Sequence, residues 1–433
     1  MNLAAVSLAA LLQVILISCF TKLNVGVISI AMAWIIGVYL GGYKVEQIAS
    51  GFPVPLFVTL VGMTLLFSQA QNNGTLDKLA HHAVLGCRGN VGVMPIMFFL
   101  LAAALASAGP GNIASAALVA PIAMAVASRA GVPAFLMAIM VGNGANAGSL
   151  SPFAPTGIIA NALMAKIGLH GLEWRSFLAN FAAHAFVALL GYFAFGGFRL
   201  FAMRSDPVAE QSRAAVTAGG ATMTQAAASA VRPIQEPFQR NNWITLAAIA
   251  ALLLSVIFLH ANVGMGAFLA AVILGLLRAA DHSQAIQKIP WNVVLMVCGV
   301  TVLIALLERT QGLALFTDLL VRVSTRQSVT AVVAFVTGLV SVYSSTSGVV
   351  LPAFLPTVPG LATSLGANPG SIALSINVGA HLVDVSPLST IGALCIAGNP
   401  AHLDTRRLFN AMLAWGLSMS VVGAILCYLA FRT

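Results

Sequence analysis

The chain is 433 residues long, 59% hydrophobic and only 7% charged, with a net charge of +9. Soluble domains carry about 25% charged residues, so this much apolar surface requires lipid as its solvent. The basic residues form no run, which excludes nucleic acid as the partner and fits Lys and Arg gathered on the cytoplasmic side of a membrane protein.

A membrane helix needs about 20 mostly apolar residues. The first spans are predicted at 3–20, 24–42 and 54–71. Leu16-Ile17-Ser18-Cys19 looks like a lipoprotein cleavage box, but no basic stretch precedes it and further spans follow at once, so it reads as part of an uncleaved helix. The stretch 74–86, with Asp77 and Lys78, mixes charge with apolar residues and is predicted to lie in the interface plane. His81 and His82 read as solvated loop residues.

The apolar segment 93–128 is too long for one helix and is broken midway by Ser107-Ala-Gly-Pro-Gly-Asn112, which predicts a re-entrant helical hairpin with its tip at mid-membrane. A broken span follows at 133–166. Its sixteen residues Gly142 to Thr156 and Gly157 hold four Gly and two Pro, which no uninterrupted helix carries. A further span at 176–201, with His184 read as a core histidine, closes the first half. The segment 203–240 is charged, Pro-containing and Ala/Thr/Gly-rich in its middle, and reads as a polar linker.

The second half repeats the plan. Spans are predicted at 242–260, 263–279 and 291–308, an interfacial stretch at 310–323, a second hairpin at 328–361, a broken span at 369–397 and a last span at 405–431. Corresponding breakers lie 235 residues apart: Ser151, Pro152 and Gly157 against Ser386, Pro387 and Gly392, Pro121 against Pro356, and Gly131 against Gly366. Gly/Pro-interrupted apolar segments at matching places in two halves point to a transporter binding site. The fold class expected is an all-α polytopic membrane protein of two repeats, 1–202 and 241–433, each of about five spans plus one re-entrant hairpin. An odd number of spans per repeat makes the topology inverted. Most of the 20 basic residues fall on the linker side, against Lys44, Lys166, Arg175, Arg309, Arg322, Arg326 and Arg432 on the other, which places the linker in the cytoplasm.

The hairpin tips are the candidate binding elements. A helix starting near Asn112 turns its free N–H groups and dipole into the protein, an arrangement suited to an anion. The second tip offers the hydroxyls Ser344, Ser345, Thr346 and Ser347, which suit a hard cation and also donate to carboxylates. Unwinding of the broken spans frees carbonyls, and Asn143, Asn146, Ser151, Thr156, Ser386 and Thr390 add side-chain oxygens. Asp384 is the one acid in either broken span. It fits a coupling cation, a proton, or the hydrogen-bonding of an unwound backbone. His381, one turn earlier, is either a proton relay or a core residue.

The five cysteines form no CxxC or Cys/His cluster, so neither a disulfide framework nor a zinc site is expected. One intramembrane acid is too few for an aspartic protease, HExxH is absent, and so is the nucleotide loop GxxxxGK[ST]. No enzyme and no cofactor is expected beyond Na+ or H+ as coupling ion.

With Gly111-Asn112-Ile113 and Ser344-Ser345-Thr346 at the tips, and Gly142 to Thr156 and Val385 to Thr390 at the breaks, the chain resembles the ion transporter superfamily. It is most similar there to the divalent anion–sodium symporter family and the bacterial malonate and dicarboxylate carriers. That family's tips read Ser-Asn-Thr. Here the first tip keeps only Asn112, and the second keeps Ser344 and Thr346. The run Gly142 to Gly148 looks most like the malonate carriers. The resemblance implies cation-coupled uptake of a small dicarboxylate by an elevator-type homodimer in a bacterial plasma membrane. Substrate would sit at Asn112, Ser344, Ser345, Thr346, Thr156 and Thr390. The cation would sit at Gly111, Asn112, Asn143, Asn146, Ser151, Ser345, Asp384 and Ser386. A cation/proton antiporter working through Asp384 is the alternative.

Overall fold

The computed structural model describes residues 2–20, 23–76, 78, 90–200, 237–259, 261–399 and 404–432, and among these it is helical with no strand. Most of the 203–240 linker and of the 74–86 stretch, with His81, His82 and Cys87, lies outside the described residues. The first half runs α1 (Leu3–Phe20), α2 (Val25–Trp34, continued by a π-helical turn over Ile35–Leu40), α3 (Val45–Ala49), α4 (Val54–Asn72), α5 (Val93–Ala108), α6 (Gly111–Ala130), α7 (Ala134–Ala147), α8 (Pro155–Lys166), α9 (Glu173–Ala194) and α10 (Gly197–Leu200). The second half opens with α11 (Arg240–Leu259), α12 (Val263–Leu276), α13 (His282–Gln287), α14 (Trp291–Arg309), α15 (Gly312–Arg322) and α16 (Val329–Tyr343). A segmented helix follows, with a π-helical turn over Thr346–Val350, α17 (Leu351–Phe354), a 3-10 turn over Leu355–Thr357 and α18 (Val358–Leu365). The chain ends with α19 (Pro369–Leu382), α20 (Thr390–Ala397) and α21 (Thr405–Ala430).

The sequence explains these boundaries. Asn24, Asn262, Asn368 and Asp404 precede α2, α12, α19 and α21, and each side chain accepts from a backbone N–H in the first turn that has no partner inside the helix. Gly131 (φ 72°) and Gly366 (φ 62°) end α6 and α18 in the left-handed conformation that a Cβ disfavours. Pro352, Pro356 and Pro359 each remove an N–H from the Thr346–Leu365 segment, the one built from short helical pieces.

Six helical segments among the described residues are long and apolar enough to cross a membrane: Val54–Asn72, Gly111–Ser128, Glu173–Ala194, Trp291–Arg309, Thr346–Leu365 and Thr405–Ala430. Large apolar side chains cover the outside, among them Phe186 and Leu190 on α9, Phe258 on α11, Leu269 and Leu276 on α12, and Ile425 and Leu429 on α21. Patches of that extent belong against hydrocarbon, and the chain is a multi-pass membrane protein.

Packing partners recur between the halves. α5 lies on α7 as α16 lies on α19, α1 on α2 as α11 on α12, and α7 on α9 as α19 on α21. The halves also pack on each other, most closely where α2 crosses α14 and α4 crosses α12. Both crossings are made by glycine. A Cβ on Gly26 would strike Leu295 O, one on Gly299 would strike Gly26 O, one on Gly62 would meet Gly264 O and one on Gly264 the backbone of Thr59. Small residues let helix backbones touch where lipid supplies no hydrophobic drive for association. α15, the stretch predicted as interfacial, packs on α1 and α18.

Gly299→Val should therefore force α14 off α2 and lower stability by about 3 kcal/mol. Gly275→Ala, whose nearest foreign atom is His282 Cβ at 3.8 Å, should raise it by roughly 0.5–1 kcal/mol. Thermal unfolding of the two purified variants in one detergent checks the contrast.

Candidate functional site

The two broken spans share one local construction. In the first, α7 stops at Ala147 and α8 starts at Pro155, and in the second α19 stops at Leu382 and α20 starts at Thr390. A Cβ on Gly157 would collide with Ser151 O, and one on Gly392 with Ser386 O. The glycine repeated 235 residues on is thus required because the first turn of each second half-helix folds back onto the carbonyl of its own Ser-Pro.

The freed backbone groups are recaptured locally. At the first break Ser149 Oγ donates to Asn146 O (2.8 Å), Ser151 N to Gly148 O (3.2 Å) and Gly157 N to Ser149 O (3.0 Å). At the second, Ser389 Oγ donates to the carbonyls of Asp384 and Ser386 and accepts from Gly392 N (3.2 Å). Asp384 N and Ser386 N donate to His381 O and Val383 O.

Each hairpin tip is tied to the break of its own half. At the first tip α5 and α6 pack side by side, with Ser115 Oγ on Ala102 O (2.7 Å), and the turn uses Gly109 (φ 138°) against Phe67 and Gly111 (φ 81°) against Pro155. Ser151 Oγ donates to Ser107 O (2.7 Å), and Asn112 Nδ2 donates to Asn146 Oδ1 (3.0 Å). At the second tip Thr346 Oγ1 reaches both oxygens of Asp384 (2.8 and 2.7 Å), Ser341 Oγ donates to Oδ1 (3.2 Å), and the Ser341 and Thr346 hydroxyls bond each other. Asp384 is buried and sits at the N-terminal, positive end of the Thr346–Leu365 segment.

The halves meet at these elements too. The start of the second return limb, Thr346–Val350, lies against α8, and α20 lies against α6, where Gly398 abuts Pro121. Two tips and two breaks thus gather in one region. Asn112, Gly111, Asn146, Ser151, Thr346 and Asp384 are all buried within it. Ser345 Oγ caps the return limb by accepting from Gly348 N (3.1 Å), and Ser344 Oγ is buried without a hydrogen-bond partner. Ser386 is packed against Gly416. Thr156 is buried at the start of α8 and Thr390 exposed at the start of α20. Asn143 points elsewhere, its amide engaging Ile139 O and His184 rather than a tip. His381 donates from Nδ1 to Asn377 O (2.6 Å) instead of to Asp384.

Sequence reading placed Ser107 in the first tip without giving it a role and missed Ser341; the two complete the tip-to-break links. Ser341 lies inside an apolar helix, where serine ordinarily bonds its own backbone, and its spacing from Thr346 gives no sign of their contact.

A cavity of about 10 Å³ lies beside Pro110 and Ser115, whereas the large cavity, about 950 Å³, lies between α21 and the start of α7, lined by Val132, Phe135, Phe195, Leu408 and Trp415. That cavity is lined mainly by apolar side chains, with Ser128, Asp404, Arg407 and Ser418 among them, and holds none of the tip residues.

Residues 1–149 match the family model described as the N-terminus of the dicarboxylate carrier protein MatC. The fold is similar to that of the YdaH transporter of Alcanivorax borkumensis, with a TM-score of 0.54 at 15% identity, covering 90% of this chain and 87% of that one. No curated protein matches the chain in sequence. The family model points to a carrier.

Thr346→Val keeps the shape of the side chain and removes the hydroxyl that touches both Asp384 oxygens, so it should cost about 1–3 kcal/mol. Thr390→Val, at an exposed hydroxyl, should leave the stability within about 0.5 kcal/mol of wild type. Parallel thermal unfolding of the two variants measures the difference.

Proposed function

We propose that the chain is a secondary active carrier that takes up a small dicarboxylate, malonate or a C4 acid, together with Na+ or H+. The observation that carries this reading is the oxygen cluster at the second tip. The carboxylate of Asp384 and the hydroxyls of Ser341 and Thr346 lie within hydrogen-bond range of one another, with the unpartnered Ser344 hydroxyl three residues beyond Ser341 in the chain. Two hydroxyl protons are too few to bind every close pair of oxygens there. A sodium ion held by these hard ligands, or a proton on the carboxylate, offsets the crowding.

The first tip supplies the complementary chemistry. The N-terminus of α6 opens at Gly111 and Asn112, with the helix dipole directed at the tip, and the tip sequence Ser107 to Asn112 carries no basic residue. An anion there depends on helix ends, hydroxyls and a co-bound cation for its charge balance, which couples its binding to the cation. The match of residues 1–149 to a dicarboxylate carrier supports two carboxylates as the cargo.

The recurring packing of the halves supports two repeats, 1–202 and 241–433. We read them as inverted, joined by a cytoplasmic linker and carrying re-entrant hairpins at 93–128 and 328–361. In this reading the tips and breaks travel together as an elevator within a homodimer in the bacterial plasma membrane. Of the predicted ligands, Asn146, Ser151 and Asp384 act at the tips, while Asn143 acts at a distance.

Proteoliposomes should accumulate radiolabelled malonate or succinate under an imposed sodium or proton gradient, and Asp384→Asn should reduce gradient-driven uptake at least tenfold. Absence of uptake of either acid under both gradients sinks the symport reading. Cation-triggered proton flux without any organic anion would identify the antiporter instead.

A further inference from the structure

A second polar cluster lies between α7, α9 and α19, and the transport reading leaves its two histidines unused. Its members are 0% exposed, and hydrogen bonding fixes their orientation. Asn143 Nδ2 donates to Ile139 O (2.8 Å), so its Oδ1 accepts from His184 Nδ1 (2.9 Å). His381 Nδ1 donates to the carbonyl of Asn377 (2.6 Å). Both neutral imidazoles therefore carry their proton on Nδ1 and present a bare lone pair at Nε2, and neither Nε2 has a partner.

The amides add to the imbalance. Asn180 Nδ2 donates to Asn146 O (2.8 Å) and Asn377 Nδ2 to Ser176 Oγ (2.9 Å), leaving both Oδ1 atoms unpaired. Among these residues four acceptors are thus open, against one open amide donor, Asn146 Nδ2. α9 packs directly on α19, where Asn377 Nδ2 meets Ser176 Oγ, about one helical turn from His381 and about two from His184. Buried polar groups are nearly always paired, so a concentration of bare lone pairs calls for a ligand that donates. An acceptor-only anion is excluded by the same lone pairs.

We propose that this cluster binds a small hydrogen-bond donor, a water molecule or an ammonium ion, bridging His184 Nε2 and His381 Nε2. The bridge ties a helix of the first half to the broken span of the second. It is continuous with the first tip, because Asn180 holds the carbonyl of the same Asn146 whose side chain holds Asn112. The assignment is independent of the cargo and stands or falls apart from the transport reading.

The test uses the full-length purified chain. A high-resolution cryo-electron microscopy map of the wild type should show density within hydrogen-bond distance of both Nε2 atoms, and a map with none there overturns the proposal. In thermal unfolding, His184→Phe and His381→Phe should each lower the midpoint, and the double variant should fall no further than the worse single one. Fully additive losses contradict a shared ligand. Matched sodium and ammonium chloride distinguish the sources. A rise in the wild-type midpoint in ammonium, absent from the variants, identifies ammonium, and equal midpoints with bridging density identify water.

Discussion

The structure depends on one constraint: in hydrocarbon no backbone N–H or C=O can rely on water, so every helix break must be repaired by the protein itself. This chain interrupts its helices at two hairpin turns and two broken spans, all deep in apolar sequence. Serine makes most of the repairs. Ser149, Ser151 and Ser389 each donate to a carbonyl left open by a break, and Ser345 accepts from the N–H of Gly348. Helix ends that still point inward then provide dipoles and polar atoms at mid-protein, which is the raw material of a binding site for small ions.

Glycine performs the complementary task. At Gly157 and Gly392 it lets a half-helix turn back against its own Ser-Pro, and at Gly26, Gly62, Gly264 and Gly299 it lets the two halves touch backbone to backbone. The first use shapes the breaks, and the second fixes the frame against which they are held. Both depend on the absence of a Cβ, and neither contributes a polar ligand. Chemistry is left to few side chains, with Asp384 the one acid among the tips and breaks.

Much of this was legible in the sequence because Gly and Pro inside an apolar run have few innocent explanations. The break after Ala147, the turn at Gly109 and the left-handed ends at Gly131 and Gly366 follow from that punctuation. Helix limits were equally readable, since Asn and Asp before an apolar run mark a start, as at Asn262 and Asp404. The glycine crossings were not, because a glycine inside a helix looks the same whether it faces lipid, as an open position does, or another backbone. Pairings at the site were hidden for a similar reason. Nothing in the sequence says that Ser341 meets Asp384, or that Asn143 turns to His184 rather than to the tip. A lone histidine in an apolar helix reads as core, and its bare Nε2 becomes visible only when its neighbours are in place.

The central claim is that cation and dicarboxylate occupy the tips together, each offsetting the charge of the other. Equilibrium binding in detergent addresses it directly: the affinity for malonate or succinate measured across sodium concentration and pH, and the cation affinity measured with and without the acid. The account predicts reciprocal enhancement by the same factor, in the range of roughly 5- to 150-fold. A dicarboxylate affinity indifferent to both sodium and pH would contradict it.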